Sequence, residues 1–494
     1  MIIAVTRRPA SRMTAMTDLP MTNLRRLVVG AGIAWALAFV VVGVGADLQV
    51  WGDGALFSYA VAVRDTFGFH WHNISGRLSI HLIAHRPAEA LVGLTGSARA
   101  GIVLYGLLLF AAPLAGLGAT FAVDRTSGRR LFVAACLSTA LLCPLVFPCP
   151  TEMWVAHALF WPTLALCHGA PLTRGGTLAI AAALLALVFS HEGGLVLAAA
   201  ILATLALRGL RTTRFLRAAA ALMLALAVWG VVKLTIRPDD YISAVLTTAA
   251  FRFVDPDNLI DPVVLLIVAA LVIFAALAAV LARTGIPAPV ACALGATVLL
   301  LGVYWLTLDH ALLAENRYPL RTVLLIGPPV LAVVAVVRTL EDEGRLPAWL
   351  RRRADALTAL ARRIGPTIAA GAFLLIMLIG AVETTKFVLA WRDYADAVRR
   401  LATGTASDPE LGDSRFVSAG RIAPALQRLA WNSTTPYLSV LVAPGFAPSR
   451  LVVDPTATYF WISCATATRS AAAASAIPPD ARALIRRLAC LHRP

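Results

Sequence analysis

Residues 27–46 read LVVGAGIAWALAFVVVGVGA, and residues 47–77 continue DLQVWGDGALFSYAVAVRDTFGFHWHNISGR. The first stretch carries no charge and is long enough to cross a hydrocarbon core, which takes about 20 apolar residues as a helix. It is too long for the apolar core of a signal peptide and no convincing cleavage site follows, so it reads as a retained span. The second stretch then sets Asp47, Trp51, Asp53, Tyr59, Arg64, Asp65, His70, His72 and Arg77 at the exit. A solvated loop with aromatics at the lipid interface is the plain alternative. Charged and aromatic groups held at a membrane exit by rigid helices are also where a membrane enzyme keeps acid/base and anion-binding chemistry.

The rest of the chain agrees with the membrane reading. Of its 494 residues 59% are hydrophobic and 14% charged, and the mean hydropathy of +0.78 excludes an ordinary soluble domain. Apolar runs at 27–46, 100–121, 131–147, 153–168, 177–190, 194–207, 218–236, 261–282, 288–308, 322–338 and 364–385 predict about eleven spans. The fourth to sixth fall short of a full crossing, which fits broken, tilted or protein-buried helices. The net charge of +16 would suggest a nucleic-acid partner only if the basic residues shared one face. They follow alternate loops instead, at Arg25 and Arg26, Arg125 to Arg130, Arg174, Arg208 to Arg217, Arg283 and Arg338 to Arg363. That is the positive-inside pattern, and it places residues 1–26 in the cytoplasm with no nucleic acid implied.

The predicted fold is mainly α: a polytopic transmembrane helical bundle over 27–385, followed by a small C-terminal α+β extracytoplasmic domain over 386–494. Within that tail, 391–401, 414–431 and 480–491 carry helical periodicity, while 437–442, 450–453 and 459–464 read as short strands. Pro444-Gly445-Phe446-Ala447-Pro448 supplies a turn between the first two strands. On the inner side, Trp349 with Arg351, Arg352 and Arg353 reads as an amphipathic helix on anionic headgroups. Cys136, Cys143, Cys167 and Cys292 lie in apolar runs as small core residues. Cys464 and Cys490 fall in the outward tail, where a disulfide can persist, and sequence alone leaves their pairing open.

With the inner loops set aside, the outer loops hold the reactive groups. They include Glu152 and Trp154, then Ser190-His191-Glu192-Gly193-Gly194, then Arg237 with Asp239 and Asp240. The densest set is Asp309, His310, Glu315, Asn316, Arg317, Tyr318 and Arg321. Arginine binds anions through its fork, and carboxylate or imidazole moves protons. His191-Glu192 opens like a zinc-protease motif, but Leu195 stands where the second histidine belongs. His70-Trp71-His72 lacks a placed third ligand, so no metal residue is assigned and a divalent metal is left open. There is no Gly-rich phosphate loop with a following lysine, and Ser190 lacks the GxSxG elbow.

The many-span body, the acidic residue soon after span one in Trp51-Gly52-Asp53-Gly54 with Tyr59 following, the charged later outer loops and the C-terminal outer domain together resemble the GT-C superfamily. These are integral-membrane glycosyltransferases that use polyprenyl-phosphate sugars. The resemblance implies a sugar moved from a polyprenyl-phosphate donor to a glycan or lipid acceptor on the periplasmic face of a bacterial inner membrane. It gives Asp53 the role of general base, with Asp47, nearer the span, as competitor. The paired Asp-Glu of the protein mannosyltransferase branch is absent. Arg317, Arg321 and Arg237 are expected on the donor phosphate. Trp51, Tyr59, His72, Arg77, Glu152, His191, Glu192, His310, Glu315, Asn316 and Tyr318 are expected about the substrates. An O-antigen polymerase or ligase, using polyprenyl-diphosphate glycans, would concentrate its outer residues in one large loop. A lipid or glycan transporter would carry mid-membrane charges and repeated halves.

Overall fold

A computed structural model describes residues 15–147, 151–236, 261–309, 318–404, 414–454 and 476–491. Helices dominate them, because a helix satisfies its own backbone N–H and C=O groups where no water can. Seven helices are long and apolar enough to cross a membrane: Asn23–Gly45, Ser127–Val146, Thr213–Thr235, Pro262–Arg283, Pro289–Thr307, Leu320–Asp342 and Arg362–Thr403. Ala98–Phe110 and Ala112–Val123, bent by 44°, make an eighth if they form one span. Pro113 lies in the first turn of the second half and removes a backbone donor at the bend.

The other three expected spans are the helices Met153–Gly169, Arg174–Val188 and Gly193–Ala206, of 17, 15 and 14 residues. By length and apolarity, then, seven or eight of the described helices qualify against the eleven expected, and most of the difference falls on these short ones. Protein covers the first of them: Trp154, Phe160, Leu164 and Cys167 on Met153–Gly169 are fully buried.

Close helix approach holds the bundle. A Cβ on Gly32 would lie 2.6 Å from the Cys136 carbonyl oxygen, so the first span packs directly on the backbone of the Arg130–Val146 helix. Gly32→Val is expected to cost about 1–3 kcal/mol through overpacking, read as a lower Tm of the purified protein. An unchanged Tm would show that the two helices part freely. Beneath the first exit, Phe39 stacks on Phe147 at 4.7 Å and meets Trp154 edge-on at 5.0 Å. Cys136, Cys143 and Cys167 are buried as expected of small core residues, whereas Cys292 is exposed.

The tail departs from its sequence reading at two points. Residues 437–442, expected as a strand, belong to the helix Thr435–Val442, with Pro436 in its first turn. Thr435 to Leu441 are all buried, and a short run buried on every side has no period to separate strand from helix. Residues 414–431, expected as one helix, instead give the strand Phe416–Ser418, a 3-10 turn at Ala419–Arg421 and the helical turn Pro424–Gln427. Pro424 blocks a continuous helix there. Phe416–Ser418 pairs in parallel with Leu451–Val453, in the register Phe416 to Leu451. The turn at Pro444–Phe446 therefore joins a helix, not a strand, to Leu451–Val453. The helix Pro479–Leu491 stands where periodicity placed it. The expected strand 459–464, Cys464 and the side chain of Cys490 lie outside the described residues.

The Arg362–Thr403 helix runs past Lys386 without a break. Trp391 on that extension donates its indole N–H to the Ala46 carbonyl at 2.8 Å, tying it to the end of the first span. The helix starting at Ala348 breaks at Gly365, whose φ of 74° suits glycine, and Trp349 before the break is 64% exposed.

Candidate functional site

Several helix ends meet beyond the first exit. Asp53 opens the helix Asp53–Val63, Glu152 precedes Met153–Gly169, and Glu192 precedes Gly193–Ala206. Each carboxylate thus lies at a helix N-terminus, where the partial positive charge favours an anion. Lys233 occupies the last turn of Thr213–Thr235, where the opposite dipole end favours a cation. Arg77 precedes the short helix Leu78–Ile80, and Arg321 belongs to the 3-10 turn Tyr318–Thr322 that leads into Val323–Asp342.

Arg77 is the hub. Its Nη1 lies 3.1 Å from Glu152 Oε1, while Nη2 and Nε reach Glu192 Oε2 at 2.8 and 3.0 Å. Lys233 Nζ approaches the other Glu192 oxygen at 3.5 Å. It does so across Gly76, where any side chain would overlap the lysine. Gly76→Ala is expected to displace Lys233 from Glu192 and lower Tm, and an unshifted Tm would show that the lysine moves aside without cost. Burial opposes the charge on Glu192, but the neighbouring cations, Arg77 first and then Lys233, outweigh it and hold the carboxyl well below the usual carboxylate range.

His191 differs. Its Nδ1 accepts the Gly193 N–H at 2.9 Å, which requires an unprotonated nitrogen. Burial, helped by Arg77, pushes the imidazole down to about 4, so His191 is neutral at physiological pH. Its 3.9 Å approach to Glu192 is therefore no ion pair.

Asp53 has the opposite perturbation. One carboxylate oxygen is wholly buried while the residue keeps a partly exposed edge. Burial first, and then the Glu152 charge, push its carboxyl up to about 7, against the pull of Arg321 and Arg77. A carboxyl that divides between its two forms near neutrality can take up or release a proton there.

The structure brings together Asp53, Arg77, Glu152, His191, Glu192 and Arg321. Asp47 stands apart: both of its oxygens accept from Arg99 Nη2 at 2.8 Å, and Gln49 Nε2 donates to it at 3.0 Å. Trp51 is packing rather than lining, buried against Phe387, with its N–H given to the Leu429 carbonyl at 3.0 Å. Tyr59 is likewise buried, its ring against Phe69 and Tyr437, and burial raises its hydroxyl above the usual tyrosine range. Arg237, His310, Glu315, Asn316 and Arg317, with the side chains of His72 and Tyr318, lie outside the described residues. Asp309 pairs with Lys386, which also reaches Glu383 at 3.2 Å. Lys233 is not among the site residues expected from sequence; its place in the last turn of Thr213–Thr235 was the available signal. Among the described residues no group of three or more His, Cys, Asp or Glu side chains is placed to hold a metal ion.

No family model matches the chain, and no curated protein matches it. Among solved structures, the crystal structure of the Archaeoglobus fulgidus oligosaccharyltransferase complex with Zn and sulfate is similar at 12% identity and a TM-score of 0.32. The match covers 84% of this chain and 62% of that one, so the chain spans less than two thirds of its length. A likeness at that score carries no argument about activity.

Proposed function

We propose that this membrane protein is a glycosyltransferase of the GT-C kind, moving a sugar from a polyprenyl-phosphate donor to a glycan or lipid acceptor at the outer face of a bacterial inner membrane. The observation that carries the reading is Asp53, a helix-terminal carboxyl pushed up to about 7 with one partly exposed edge, beside Arg321 and Arg77. In the reaction, the acceptor hydroxyl oxygen bonds to the anomeric carbon as the bond from that carbon to the lipid phosphate oxygen breaks. The hydroxyl proton passes to Asp53, and the phosphate leaves with the bonding pair, its charge met by Arg321. Arg77, expected among the substrate ligands, is a positioning residue here, since Glu152 and Glu192 share its guanidinium.

The test is turnover of purified protein with a panel of polyprenyl-phosphate sugars bearing a labelled sugar. Transfer that depends on Asp53 supports the reading, and no transfer or hydrolysis from any donor overturns it. Arg321→Ala is expected to raise the donor KM and lower transfer together, with Arg321→Lys restoring little because ammonium lacks the bidentate fork. Donor binding as tight as in the parent would remove Arg321 from the phosphate. The same reading puts the tail outside: a cysteine introduced at exposed Arg421 is expected to react in intact cells with a membrane-impermeant thiol reagent. Reaction only in inverted vesicles would reverse the topology.

A further inference from the structure

We propose that Trp431, from the tail, forms the stacking floor of a sugar subsite for the acceptor, a reading that rests on the transfer reaction above. Gly52 precedes Asp53 with φ 59° and ψ −134°. A Cβ there would lie 3.6 Å from Cδ2 and Cε2 of Trp431, so the indole lies against the backbone one residue from the proton acceptor. The ring is fixed from both sides of its sequence. Trp51 gives its N–H to the Leu429 carbonyl and meets the Trp431 ring edge-on at 6.3 Å. The Trp431 carbonyl accepts the N–H groups of Thr434 and Thr435 at 2.8 and 2.9 Å, which start the Thr435–Val442 helix.

Trp51, Trp154, Trp161 and Trp391 are buried, whereas Trp431 keeps part of its surface open. Beside it Asn432 is exposed, and its amide donates to the Asp454 carboxylate. A partly exposed tryptophan followed by an exposed amide that pairs with a carboxylate matches a pyranose ring. The apolar C–H face lies on the aromatic, and the hydroxyls exchange hydrogen bonds with the polar neighbours. An acyl chain in the same place would strip water from Asn432 and Asp454 with nothing in return.

The probes are neutral methyl hexopyranosides and short oligosaccharides, added to the full-length protein in nanodiscs. Binding without donor is followed by saturation-transfer NMR, and transfer by acceptor and donor KM. Trp431→Ala is expected to abolish the NMR signal and raise the acceptor KM about tenfold, with the donor KM unchanged. Trp431→Phe should keep most of both, and Asn432→Ala, at an exposed position, should weaken binding with no change in Tm. Sugar binding and acceptor KM unaltered in Trp431→Ala, a fall in Tm and kcat alone, or no sugar binding by the parent protein would overturn the subsite. Sugar binding lost with Trp431 in a protein that transfers from no donor would keep the subsite and sink the transferase reading instead.

Discussion

Asp53→Asn is expected to lower transfer by about 10²–10⁴-fold, the usual contribution of a positioned general base. The amide keeps the shape of the side chain and loses the proton acceptor, so the variant should fold and bind donor. The pH dependence supplies the sign. Below about 7 the Asp53 carboxyl is protonated and cannot accept a proton, so kcat/KM of the parent should rise with pH through that region and then level. The limb should vanish from the residual activity of Asp53→Asn. Stability runs the other way. The folded value lies above that of an unfolded aspartate, about 4, so the native state holds the extra proton between about 4 and 7 and loses stability as pH rises through that window. Asp53→Asn should therefore be more thermostable than the parent at pH 8 and show no such gain at pH 4. Parent-like turnover in Asp53→Asn would end the assignment. Loss of turnover on Asp47→Asn alone would move it to Asp47, despite that residue's pairing with Arg99.

Arg77→Met should be the most destabilising single change at the site. It leaves Glu152 and Glu192, which share its guanidinium at 3.1 and 2.8 Å, with side chains only 10% and 25% exposed and short of their cation. Removing one partner of such a group costs about 3–5 kcal/mol, because the charge left behind remains buried. Lys233 still serves Glu192, so Glu152 should carry more of the penalty. Arg77→Lys should recover little, since one ammonium cannot span both carboxylates as the fork does. Arg77→Met combined with Glu152→Gln and Glu192→Gln should regain much of the Tm. A parent-like Tm for Arg77→Met alone would show that the carboxylates find other partners.

Much of this architecture was local and therefore legible. Uncharged runs such as 27–46 are helices because hydrocarbon leaves the backbone no other partner, and each expected span coincides with one or a bent pair. Asp53, Arg77, Glu152, His191, Glu192 and Arg321 were candidates because charge at a membrane exit demands a reason. Periodicity misassigned 437–442, which lies in a helix buried from Thr435 to Leu441, and did not see that Pro424 would divide 414–431. It also could not count crossings among the short helices, of which neighbouring protein covers Met153–Gly169.

The site itself was decided in three dimensions. Of two nearby aspartates, Asp47 is paired with Arg99, while Asp53 is buried beside Glu152 and its carboxyl is pushed up by that desolvation. Arg77 meets a glutamate 115 residues away because the Leu78–Ile80 and Gly193–Ala206 helices start side by side, with the Ser79 N–H donating to the Phe189 carbonyl at 3.1 Å. The approach of Trp431 to Gly52 is of the same kind. Sequence alone determined the long apolar helices and which polar groups lie near their ends. The tertiary packing decided which ends converge, and hence which charges are paired and which carboxyl is left near neutrality, because pairing and desolvation depend on distances between segments remote in the chain.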